Sequence, residues 1–141
     1  MHLQRTIAIG AFAILSLISR PSLAEMVKLA CQMNSKYQKS SELNIDQVIP
    51  ATGKVDFIVD VGPQVYAERA EGGAWERRPL SSIDAGKIVL SSFKTETVEI
   101  REEISRVSGK YKDSHISEAI VEFTYGECKV DDSLVWPESK F

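Results

Sequence analysis

The chain has 141 residues, 43% of them hydrophobic and 26% charged, with a formal net charge of −3 and a sequence pI near 5.4. That length supports one domain with a real core. The acidic balance gives little attraction for nucleic acid or anionic lipid, and two cysteines and two histidines leave few parts for a metal centre or a nucleophilic site.

The first 24 residues read as an export signal. Arg5 precedes an uncharged apolar run, Thr6–Ile18, and Ser22-Leu23-Ala24 offers small residues where a signal peptidase cuts. The run is shorter than the roughly 20 residues that span a bilayer as a helix. An uncleaved anchor is one alternative. A lipid-attached cysteine at Leu29-Ala30-Cys31 is another, although Lys28 stands where an aliphatic residue belongs. Cleavage after Ala24 leaves residues 25–141 as a single β domain, more acidic than the whole because Arg5 and Arg20 depart.

Met26–Met33 alternates apolar and polar residues and predicts a first strand, with Asn34–Ser41 a polar loop. Leu43–Ile45 resumes the alternation briefly before a turn at Pro50–Gly53. Lys54–Val61 is a clear strand with Val55, Phe57, Val59 and Val61 on one face. Gly62-Pro63 breaks it, and Gln64–Ala70 continues as strand. Glu71–Ala74 is a hairpin signal. Trp75–Leu80 is a short charged segment, Ser81–Gly86 turn material, and Lys87–Phe93 a further strand. Residues 97–109 are ambiguous: Ile100, Ile104 and Val107 fit a helix, whereas Thr97, Val98 and Ile100 favour a strand, and no capping box opens a helix. The strand reading is preferred. Asp113–Ser117 is then a turn into Glu118–Cys128, where Ala119, Val121, Phe123 and Tyr125 alternate with Ile120, Glu122 and Thr124 and predict a strand with one buried face. Lys129–Phe141 is a polar tail carrying Trp136.

Cysteines in an exported chain pair by default, so Cys31 and Cys128 are expected to form an intramolecular disulfide that ties the last strand to the first and bends the sheet between them back on itself. Free thiols or an intermolecular bridge are the alternatives. The expected fold is all-β: a mostly antiparallel small barrel or sandwich of about six or seven strands, closed by that disulfide.

Ile104–Tyr111, ISRVSGKY, followed by Gly126-Glu127-Cys128, resembles a group of small exported bacterial proteins. These carry a cysteine just after the signal peptide, an I-x-R-V-[ST]-G-x-Y strand and a closing G-x-C. The resemblance covers the last third of the chain plus Cys31. It implies no activity, and it favours strand over helix at 104–111. A more distant analogy is with C-type lysozyme inhibitors, small exported β-barrels that present an S-G-x-x-Y motif to the enzyme. Ser108-Gly109-Lys110-Tyr111 is one residue short of that spacing.

No HExxH, Walker loop, GxSxG or CxxC motif occurs. His115, the histidine outside the export signal, stands in a predicted polar turn with no second ligand at motif spacing, so no catalytic residue, metal site or cofactor is expected. Asp56 and Asp60 share a strand face but stand roughly 13 Å apart along it, too far for a carboxylate pair. Trp75, Arg77 and Arg78, after a hairpin, are the residue types that dominate contact energy at interfaces and form the candidate partner-binding set; the alternative is Trp75 capping the core beside solvated arginines. Trp136 is expected to pack over the barrel end. The expectation is a non-enzymatic periplasmic or secreted binding module for a protein or envelope component. A structural or accessory envelope protein is the alternative, and an inhibitor of a cell-wall hydrolase a third reading. A hydrolase would have only His115 and an acidic residue as parts.

Overall fold

The computed structural model describes residues 25–138. The expected export signal, residues 1–24, lies outside them. Ten strands run in chain order: β1 (Met26–Ser40), β2 (Ile45–Pro50), β3 (Lys54–Asp60), β4 (Val65–Ala70), β5 (Glu76–Pro79), β6 (Ser82–Ile83), β7 (Lys87–Lys94), β8 (Val98–Ser105), β9 (Lys110–Ser117) and β10 (Val121–Val130). Every pairing is antiparallel. The spatial order is β5-β4-β3-β1-β10-β9-β8-β7-β6, with β2 paired to the far half of β1. The all-β, antiparallel expectation holds, and residues 98–105 are strand rather than helix.

Two expectations are corrected. The described residues form ten strands, not six or seven, and the barrel is an open half-barrel rather than a closed one. The extra strands come from segments read as loops. β1 runs on through Asn34–Ser40, Trp75–Leu80 supplies β5, Ser81–Gly86 contains β6, and Asp113–Ser117 belongs to β9. The sheet curls until its edge strands, β5 and β6, are joined by two residues. Leu80 donates its N–H to Gln64 O on one side of this seam, and Ser81 donates to Val89 O on the other. No ladder joins β5 to β6, so the wall is open there.

The concave face changes character along its length. At one end Leu29, Phe57, Val59, Ile88, Leu90 and Ile104 are buried in one cluster. Phe57 lies between the rings of Tyr66 and Tyr111, at centroid distances of 6.4 and 6.1 Å. At the other end the inward positions carry Lys36, Gln38, Glu68, Glu102 and Asp113. On β10 the apolar side chains Val121, Phe123 and Tyr125 lie on the outer face, while Glu122 and Thr124 point inward. On the outer face, Ile58 and Ala67 are also fully buried. The segment after β10 lies on this side: Leu134 is buried, and Trp136 stacks on Arg77, the register partner of Ala67. Trp136 thus covers the outer face of β5 rather than a barrel end.

The disulfide joins Cys31 and Cys128, with the Cα atoms 3.9 Å apart. It does not close the barrel by linking distant edges. The two cysteines are directly opposed on β1 and β10, neighbouring strands in the middle of the sheet. Cys128 donates its N–H away from β1, to Gly109 O. The pair is therefore of the non-hydrogen-bonded kind, whose Cα atoms approach most closely. Gly109, at φ +72°, has no room for a side chain, because a Cβ there would sit 2.6 Å from Cys128 O. The turn after β8 is thereby pressed against the bridged strand.

Cross-linking over a sequence separation of 97 restricts the unfolded chain. The double variant Cys31→Ala/Cys128→Ala is expected to retain the sheet, since the β1–β10 ladder persists, but to lose about 2–5 kcal/mol of unfolding free energy. Urea titration followed by circular dichroism measures this. An unchanged midpoint would contradict it.

Candidate functional site

The seam opens into a cleft of about 410 Å³ between two walls. One wall is β4–β5, with Tyr66, Glu68, Arg78 and Pro79. The other is β7–β9, with Ser91, Ile100, Glu102, Asp113 and His115. The period of two places each of these side chains. Tyr66 and Glu68 share the inner face of β4, Ile100 and Glu102 that of β8, and Tyr111, Asp113 and His115 that of β9. Cross-strand register sets Glu102 opposite Asp113 and Ile100 opposite His115. Like charges directly opposed in a sheet are unfavourable, and here a third carboxylate, Glu68, faces them from the other wall.

The electrostatics follow from that crowding. Burial raises the Glu102 carboxyl to about 7, and the nearby Asp113 and Glu68 charges add to the effect; a hydrogen bond donated by the Tyr111 hydroxyl to Glu102 Oε2 opposes it. Burial also raises Asp113, against the His115 imidazole, whose Nε2 is 3.5 Å from Asp113 Oδ2. Glu68 is raised by burial too, despite its 2.8 Å ion pair with Arg78 Nε. Tyr66 and Tyr111 are both pushed well above the ordinary phenol range, burial being the largest cause. Arg78 also pairs with Glu76 at 2.7 Å, so one guanidinium serves two carboxylates at the mouth. Further along the concave face, Glu122 accepts from Gln38 at 2.8 Å and pairs with Lys36 at 3.2 Å, and these contacts hold its carboxyl low. Among the described residues, no group of three or more His, Cys, Asp or Glu is arranged to hold a metal ion.

The three residues singled out for partner binding do not converge. Arg78 points into the cleft. Arg77 points outward, stacks on Trp136 and donates to the Pro137 carbonyl. Trp75 is half-buried beneath Arg69, whose guanidinium is 4.5 Å from the ring centre and is bridged to Asp56 at 2.8 Å. Alternation along β5 is what separates the two arginines.

His115 lies in β9 rather than in a turn, and it lines the cleft beside Asp113. Glu68, Glu102, Tyr111 and Asp113 were not legible as a set. A signal for part of it was present: Tyr111, Asp113 and His115 alternate with Lys112 and Ser114, which is strand spacing in a segment with too little apolar character to announce itself.

No protein-family model, curated protein or solved structure matches the chain.

The raised Glu102 carboxyl ties stability to pH. Its folded value, about 7, exceeds its ordinary 4.5, so the folded state takes up this proton first. Stability contributed by the protonated form is complete below about 4.5 and lost as pH rises through 7. The penalty at higher pH is on the order of 3 kcal/mol. Glu102→Gln is expected to stabilise the protein by about 1–3 kcal/mol at pH 8, change little at pH 5, and flatten the pH dependence between them. Urea unfolding at both pH values checks this; equal effects at the two would contradict it.

Proposed function

We propose that this is an exported, non-enzymatic binding module, and that its seam cleft takes a ligand bearing an ammonium or guanidinium group. The observation that carries the reading is the convergence of Glu68, Glu102 and Asp113 from opposite walls, with Arg78 and His115 as the cationic or protonatable side chains lining the same cleft. A cation entering there relieves repulsion that the fold otherwise bears, so its binding draws on energy already stored in the site. Export is supported by the Cys31–Cys128 bridge, which fits an oxidising compartment outside the cytoplasm. The envelope or secreted setting, and a protein or envelope component as natural partner, rest on the leader-like sequence.

One observation favours a second reading. Glu102, held near neutrality beside Asp113, Tyr111 and His115, has the environment of a general acid. A hydrolase would use Glu102 as the proton donor and Asp113 as its ionised partner. Turnover of a fluorogenic glycoside or of cell-wall material, lost in Glu102→Gln, would favour this reading over simple binding.

Calorimetric titration with tri-lysine tests the binding reading. Saturable binding is expected at pH 8, weakened about tenfold by Asp113→Asn and again at pH 5.5, where Glu102 holds its proton. Absence of binding at pH 8, or binding indifferent to Asp113→Asn, would contradict it.

A further inference from the structure

A second cavity, of about 430 Å³, opens at the end of the half-barrel opposite the carboxylates. Val27, Leu29, Ile88 and Ile104 line it, so its floor is the buried apolar cluster itself. Its rim is formed by Val107, at the tip of the β8–β9 turn, and Val130, at the end of β10. These two are 86% and 71% exposed. A turn tip is ordinarily given to small polar residues, and here the exposed valine stands over a hollow whose floor is made of buried core side chains. Among the described residues lining this cavity, Arg106 is the charged one. Its guanidinium is held at the rim by Glu25, at 3.3 Å, and by the Asp84 carbonyl, at 2.9 Å.

We propose that this pocket seats one acyl chain, with the chain's anionic head at Arg106. An apolar floor, an apolar rim and a single lining cation match the chemistry of a fatty acid or a lipid with an anionic headgroup. The chain covers valines that otherwise face water, and burial of apolar area drives its entry. The head replaces the Glu25 carboxylate on Arg106, so one charge-assisted pair is exchanged for another and the half-exposed Glu25 carboxylate is returned to water. Mouths of β-barrels are common places for such ligands. The pocket shares none of the residues lining the seam cleft, so the two sites stand or fall separately.

Titration of the oxidised protein with cis-parinaric acid, followed by displacement with laurate, dodecanol and a lysophosphatidylglycerol, tests the proposal. Saturable binding of one chain per protein is expected below micelle-forming concentrations. Val107→Asp, at an exposed turn tip that tolerates charge, should weaken every ligand about tenfold, because it places a carboxylate against the apolar rim. Arg106→Gln should weaken laurate about fivefold and leave dodecanol within about twofold. Glu102→Gln should leave all of these affinities unchanged. Tighter displacement by laurate than by the lysolipid assigns the pocket to free fatty acids, and the reverse order to phospholipid. Four results would overturn the proposal: no saturable binding by folded protein, equal loss of laurate and dodecanol in Arg106→Gln, binding only to phosphatidylglycerol vesicles, or a dimer abolished by Val107→Asp in protein that binds no chain.

Discussion

The antiparallel ladder between the first and last strands holds this molecule together. β1 pairs with β10 from Leu29–Val130 to Lys39–Val121, with one bulge between Met33 and Ser35, and the disulfide crosses it at Cys31–Cys128. All other strands hang from this pair. β3, β4 and β5 extend from one side of it, and β9, β8, β7 and β6 from the other. Because β5 leads into β6 through Leu80 and Ser81, the two wings must curl toward each other. The concavity is therefore a consequence of β1 and β10 lying side by side while β5 and β6 are joined by two residues. Gly126 belongs to the same constraint: a Cβ there would lie 2.6 Å from Gln32 O, so the two strands could not approach as they do.

The divided interior follows from an incomplete wall. Where β3 and β4 face β7 and β8, apolar side chains from both sides fill the concavity. Along the seam water can enter, and charged residues are tolerated. Glu68, Glu102 and Asp113 occupy the boundary, buried enough to be raised yet open to a cleft. A sheet built for stability alone would not set Glu102 opposite Asp113. Their placement costs stability at neutral pH, and a site that pays such a cost is a reasonable place to look for a ligand.

How much could be read in advance depended on which half of the interior a strand lines. Lys54–Asp60 and Val121–Cys128 were legible as strands, although in the second the alternating apolar residues Val121, Phe123 and Tyr125 lie on the outer face and Glu122, Thr124, Gly126 and Cys128 face inward. The cysteine pair was legible too, because export and cysteine count point to it without any geometry. The far half of β1 was not, since Lys36 and Gln38 turn inward and remove the contrast between faces. The same loss of contrast hid Asp113–Ser117, and with it the position of His115. Trp75, Arg77 and Arg78 drew attention by residue type, yet alternation along β5 sends only Arg78 inward. The openness of the barrel depends on a missing ladder between β5 and β6, and a missing pairing leaves no mark on either strand's sequence.

Native-state hydrogen exchange of the oxidised protein tests the central position of the β1–β10 ladder most directly. The slowest amides are expected in β1 and β10 around Cys31 and Cys128, opening only with global unfolding, with protection falling outward to β5 and β6. Slowest exchange in a wing, or free exchange along β10 while the wings stay protected, would contradict this account of what the fold is built upon.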